Sequence, residues 1–212
     1  MEVLNIIEVI GTIAFAAAGA LTGIHKHLDL FGVFMLALTT AVGGGIVRDI
    51  LIGINPPTAF VYPFFTIISL VTAIIVSINY QWINKFNNVI VICDAVGLGA
   101  FTAAGANMSF LYEYHRLFIT VMMAVLSGVG GGVIRDVFVR DIPLIFRKEV
   151  YAVASIAGAI CFFYSKPFLL GNGPMYLCFF VTVIIRMVCM KYDINFPVPA
   201  AKGQGKYESK GE

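Results

Sequence analysis

Seven stretches of this chain are each long and apolar enough to cross a bilayer, and that leaves little room for any other kind of fold. A hydrocarbon core needs about 20 consecutive apolar residues per helix. The stretches run at roughly 5–24, 30–52, 61–80, 88–106, 115–138, 149–165 and 174–192. Only 12% of residues are charged and 59% are hydrophobic, about half the charged share of an ordinary soluble domain. A chain of 212 residues is too short to bury so many apolar helices in a soluble core. The sixth stretch is the shortest, with Glu149 at its start. Glu2 and Glu8 stand where a basic leader would, so the first stretch is expected to be a retained span. From Asp193 the sequence turns to Pro, Lys and Gly and reads as a short disordered tail.

The stretches repeat. Ala14-Phe15-Ala16-Ala17-Ala18-Gly19-Ala20 matches Ala100-Phe101-Thr102-Ala103-Ala104-Gly105-Ala106, which sets Glu8 opposite Asp94 and Gly11 opposite Gly97. Gly43-Gly44-Gly45-Ile46-Val47-Arg48-Asp49 matches Gly130-Gly131-Gly132-Val133-Ile134-Arg135-Asp136, with Pro56 and Pro143 following at equal distance. Ser69 pairs with Ser155. The unit holds three spans, an odd number, so the second copy is expected to be inverted about an axis in the membrane plane. The expected fold is an all-α integral membrane protein: seven transmembrane helices, as an inverted 3+3 repeat plus one. The first repeat is assigned to residues 1–83, the second to 84–168, the seventh helix to 169–192 and the tail to 193–212.

Basic residues set the orientation. The first, third and fifth loops and the tail carry Lys26, Lys85, Arg140, Arg147, Lys148, Lys191, Lys202, Lys206 and Lys210, and the other side chiefly Arg116 and Lys166. The basic side is expected to be cytoplasmic, with the N-terminus outside and the C-terminus inside. Trp82, Tyr62, Tyr80, Tyr112, Tyr114 and Tyr164 lie near span ends, as interfacial anchors do.

Candidate functional residues concentrate at the triplets. Three successive glycines are poor helix material. They can open a span and expose carbonyls and amides to an ion or zwitterion, or they can simply let helices approach closely. The charged pairs Arg48-Asp49 and Arg135-Asp136 sit where charge is expensive. Adjacent helical residues do not face each other, so neither pair is expected to bridge internally. Pairing of Arg48 with Asp136, or of either arginine with Asp94 or Glu8, is open to them, as is snorkelling into headgroups. Gly43, Gly44, Gly45, Arg48, Asp49, Asp94, Gly130, Gly131, Gly132, Arg135 and Asp136 are the candidate pore-lining or gating residues. Arg147 and Lys148 are candidates to hold anionic lipid headgroups.

Other chemistry is absent from the pattern. Cys93, Cys161, Cys178 and Cys189 all lie in apolar runs, without metal spacing. No metal site, no cofactor, no P-loop and no catalytic constellation is expected. Ser127, near the second triplet, has no paired histidine. A formal charge of +2 gives no nucleic-acid signal.

The doubled Gly-Gly-Gly-x-x-Arg-Asp pattern, with its trailing prolines, resembles the small bacterial membrane family that includes the prokaryotic trimeric intracellular cation (TRIC-type) channels. The resemblance covers the first six spans, and the seventh fits. It implies a homotrimer in the bacterial inner membrane with a separate pore in each subunit. Spans two and five would be kinked at Gly43–Gly45 and Gly130–Gly132 and line a path for potassium, with basic residues near the kinks influencing opening. Related proteins with the same repeated domain resemble transporters of glycine or small neutral amino acids. A potassium-permeable channel is the first expectation, such a transporter the alternative, and a non-transporting scaffold the third.

Overall fold

The computed structural model describes residues 6–83, 85, 88–147 and 150–192. Those residues are helices and connecting turns. α1 runs Ile6–His25, α2 Leu30–Leu51, α3 Thr58–Val61, α4 Phe64–Ile83, α5 Val89–Leu111, α6 Leu117–Phe138, α7 Leu144–Arg147, α8 Val150–Ser165 and α9 Gly173–Lys191. Each long helix overlaps one apolar stretch of the sequence. α1, α2, α4, α5, α6 and α9 are long and apolar enough to span a membrane. α8, over the sixth stretch, has 16 residues, or about 24 Å at the usual rise. The chain is an integral membrane protein, and the described residues are all-helical, with six helices of spanning length and composition and one shorter apolar helix among them. The tail from residue 193, and Lys148, lie outside the described residues.

The outward faces show which solvent these helices meet. On α4, Ile67, Val71, Ile74, Ile75 and Ile78 are exposed while Ser69, Thr72, Ala73 and Val76 are buried. The hydroxyls fold back: Ser69 Oγ and Ser77 Oγ donate to Phe65 O and Ala73 O at 2.7 and 2.8 Å. Such back-bonding satisfies a donor where no water is at hand. α2 begins with Asp29, whose side chain accepts from Gly32 N at 2.7 Å.

Inside, small residues let backbones meet. α1 packs on α2, α4 and α5; α2 on α6; α5 on α6, α8 and α9. The close contacts come in matched pairs. A Cβ on Gly44 would strike Ser127 O, and one on Gly131 would strike Thr40 O. Gly19 lies against Leu36 O and Thr40 Oγ1, and Gly105 against Met123 O and Ser127 Oγ. Phe15 and Phe101, matched positions of the sequence repeat, stack on each other with centroids 5.4 Å apart and planes 13° from parallel. Only α9 lies outside this pairing. It fits against Gly99 of α5 and Gly158 of α8 through Val183, Phe179 and Thr182.

Lys26, after α1, pairs with Asp141, after α6, at 2.7 Å. The start of α2 and the end of α6 therefore lie at one end of the molecule. α2 and α6 are antiparallel, and Arg48 and Arg135 sit at opposite ends of the pair.

Candidate functional site

The glycine triplets do not open their helices. α2 is helical through Gly43–Gly45 and α6 through Gly130–Gly132, which favours close helix approach over freed carbonyls and amides, the two readings open from sequence. The helical ladder already occupies those groups. The physical use of the triplets is approach: Gly130 lies against the Cα of Gly44, and Gly43 against Ile134. Two of the six glycines face something else. A Cβ on Gly45 would have only Arg48 Nη2 nearby, at 3.8 Å. One on Gly132 would lie 2.9 Å from Tyr151 Oη and 3.7 Å from Asp94 Oδ1.

The charged pairs also depart from expectation. Arg48 donates from Nε and Nη2 to Asp49 Oδ1 at 2.9 and 2.7 Å. Arg135 Nε likewise donates to Asp136 Oδ1 at 2.9 Å, and its Nη2 stands in ion-pair contact with the same oxygen at 2.9 Å. The rule that neighbours do not meet holds for side chains that leave the helix straight. An arginine is long enough to curl back and clasp the next carboxylate. Each clasp has a cause. A carboxylate in the last turn of a helix opposes the helix dipole, and it is buried here: Asp49 is 0% exposed and Asp136 7%. The arginine offsets both costs.

Each aspartate uses its second oxygen to start the short helix beyond. Asp49 Oδ2 accepts from Thr58 N at 2.9 Å and Thr58 Oγ1 at 2.6 Å. Asp136 Oδ2 accepts from Leu144 N at 3.0 Å. The carboxylate thus leaves one unfavourable helix end for a favourable one. The prolines that trail the triplets stand beside these first turns: Pro56 is followed by Pro57, the residue just before α3, and Pro143 directly precedes α7.

A third partner separates the two ends. Arg135 Nη1 donates to Asp94 Oδ1 of α5 at 2.7 Å, both side chains being buried. This is one of the pairings open to the arginines from sequence. Arg48 instead reaches Ser127 Oγ at 3.5 Å. It pairs with neither Asp136 nor Glu8; among the described residues Glu8 is half-buried and makes no ion pair. Arg147 closes α7, well along the chain from the arginine turns.

Two residues at this end were not singled out from sequence. Tyr151, in the first turn of α8, is 1% exposed, and Arg186 of α9 is 2% exposed. The Arg186 guanidinium lies over the Tyr151 ring, 4.8 Å from its centroid. Arg186 was detectable, as a lone charge inside Val183-Ile184-Ile185-Arg186-Met187-Val188. A count of loop charges passes over it. Tyr151 gave no signal, since a tyrosine at a span end reads as an interfacial anchor. The arrangement as a whole offers ionised and hydroxyl groups at both ends of a close helix pair, inside a shell of apolar surface.

Comparison with known proteins places this arrangement. The family model described as "Glycine transporter" matches the chain twice, over residues 5–81 and 91–167. The inner membrane protein YadS of Escherichia coli K12, a UPF0126 protein, is 34% identical over 94% of this chain and 98% of its own length. A structure from work on conductance through TRIC cation channels superposes with a TM-score of 0.86 at 30% identity, covering 95% of this chain and 99% of that one. A prokaryotic TRIC channel crystallised in 0.5 M KCl superposes at 0.83 with 36% identity, covering 89% and 96%. By sequence along nearly its whole length and by fold, the chain belongs to the family of small membrane proteins that unites the UPF0126 proteins with the prokaryotic TRIC-type channels.

Proposed function

We propose that this protein is a cation channel that carries potassium, with one path in each subunit of a homotrimer in the bacterial inner membrane. The observation that carries the reading is the pair of buried arginine turns at opposite ends of the antiparallel α2 and α6. A buried arginine beside a passage is a positive gate that must move or be neutralised for cations to pass. The channels that this chain superposes on support the same reading. Because the triplet carbonyls are bound in their helices, partial dehydration of a cation falls to side-chain oxygens. Asp94, Glu8, Thr40 and Ser127 are the candidates. Asp49 and Asp136 hold the arginines in place, and Gly45 leaves room beside Arg48 in which that arginine moves.

The path is set in seven crossings, as an inverted 3+3 repeat plus one, with repeats at 1–83 and 84–168 and the seventh helix at 169–192. Matched contacts about α2 and α6 support an axis in the membrane plane. So does the stack of Phe15 on Phe101. The contact of Lys26 with Asp141 agrees with first and fifth loops on one side, which we take as cytoplasmic. Arg147 and Lys148 would meet lipid headgroups there.

Planar-bilayer recording of the purified protein tests this. Discrete current steps whose reversal potential follows a potassium chloride gradient are expected, with altered open probability in Arg48→Ala and Arg135→Ala. The description of the family model motivates a second arm with glycine. A silent bilayer beside saturable glycine uptake into liposomes would overturn the channel reading in favour of a small-zwitterion transporter.

A further inference from the structure

The second arginine turn is one charge out of balance until α9 is counted. Arg135 carries one positive charge and binds two carboxylates, Asp94 and Asp136. That set alone is a buried net negative charge, which an apolar surround penalises heavily. Arg186 is the missing positive charge. It is 2% exposed, has no ion pair among the described residues, and lies over Tyr151. Tyr151 Oη and Asp94 Oδ1 in turn flank one point beside Gly132, at 2.9 and 3.7 Å.

Three buried polar atoms of these residues have no hydrogen-bond partner among the described residues: Asp94 Oδ2, Tyr151 Oη and Arg186 Nε. They come from three different helices, α5, α8 and α9. Their chemistry is complementary without being sufficient. The carboxylate oxygen only accepts, the guanidinium N–H only donates, and the phenol does either. A buried water typically makes about three hydrogen bonds to groups of this kind. A cation in the same place would meet two arginines, and an anion would meet Asp94.

We propose that Asp94, Tyr151 and Arg186 form a site for one water molecule, and that through it Arg186 supplies the fourth charge that neutralises the buried set. The water accepts from Arg186 Nε, donates to Asp94 Oδ2 and shares the phenol of Tyr151. α9, which stands outside the repeat, thereby acts as a clamp on the second arginine turn. Arg186 is a positioning residue for Arg135, acting through Asp94. This site does not depend on what the protein conducts.

Paired neutralisation of the full chain, followed by its melting temperature in detergent, is the test. Arg186→Met should lower the melting point by roughly 10 °C, the scale of an uncompensated buried charge in a chain this size. Arg186→Lys should recover most of that loss. The double variant Asp94→Asn with Arg186→Met leaves Arg135 and Asp136 as a neutral pair, and should melt well above the sum of the two single losses. A density map of the unaltered chain that resolves ordered water should show one peak in hydrogen-bond reach of all three atoms. Additive losses would overturn the charge balance, as would a double variant that fails to accumulate when Arg186→Lys does. A dry contact, with Arg186 bonded directly to Asp94, would overturn the water site. Because melting reads the folded chain and not a current, a silent bilayer would leave these results standing.

Discussion

The two arginine turns share a construction and differ in their company. In both, an arginine clasps the aspartate after it, and that aspartate starts the next short helix. Beyond that the copies part. Arg135 is held by a second carboxylate at 2.7 Å, with Arg186 and Tyr151 behind it. Arg48 has a serine hydroxyl at 3.5 Å, and Glu8, the counterpart of Asp94, stands apart. Where Tyr151 lies in one half, the matching position in the other is Phe65, without a hydroxyl. The backbone solution was copied and the electrostatic one was not. Arg135 is the more tightly held side chain and Arg48 the freer of the two.

The sharpest way to break that contrast is to remove each arginine. Arg135→Met strands two buried carboxylates and should cost about 3–5 kcal/mol. Arg48→Met strands one that Thr58 still holds twice, and should cost about 1–3 kcal/mol. Chemical unfolding in detergent would measure both, and equal losses would refute the contrast. Next come the matched glycines. Gly44→Ala and Gly131→Ala each drive a methyl into a backbone carbonyl, and each should cost about 1–3 kcal/mol. Gly45→Ala meets only Arg48 Nη2, at ordinary contact distance, and should stabilise by roughly 0.5–1 kcal/mol. A large loss at Gly44 with none at Gly131 would deny that the two crossings are equivalent.

Thr58→Ala removes one of the two bonds to Asp49 Oδ2 and should cost about 1 kcal/mol. It should also raise the Arg48-dependent open probability in bilayer recordings, since the clasp on the freer arginine is loosened. Least of all, Asp141→Asn breaks the half-exposed pair with Lys26. Its cost should stay below about 1 kcal/mol and vanish in high salt.

Much of this was legible before any coordinates. The long apolar stretches mark the long helices, because a bilayer demands one length and one composition. The repeated triplets mark where the two halves meet. What the triplets do there was not legible. A glycine says only that a side chain is unwelcome, and whether a ligand or another backbone excludes it depends on a partner far away in sequence. Ser127 O and Thr40 O are such partners. The clasps were hidden by treating Arg48 and Arg135 as straight rods. Arg186 stood out as a lone charge in an apolar run, but its role was hidden because that role is a sum over four helices: nothing near it in sequence says that Arg135 has one carboxylate too many.

The meeting of α2 and α6 has a mechanical consequence. Where side chains separate two helices, a push on one is absorbed by rotamers before it reaches the other. At Gly44 and Gly131 no side chain intervenes, and backbone bears on backbone. Such a joint has no slack. A tilt of α2 that carries Arg48 outward must be met by a matching tilt of α6, and with it of Arg135. The molecule works as a pair of shears, whose blades meet at a pivot of glycine and cannot open at one end alone.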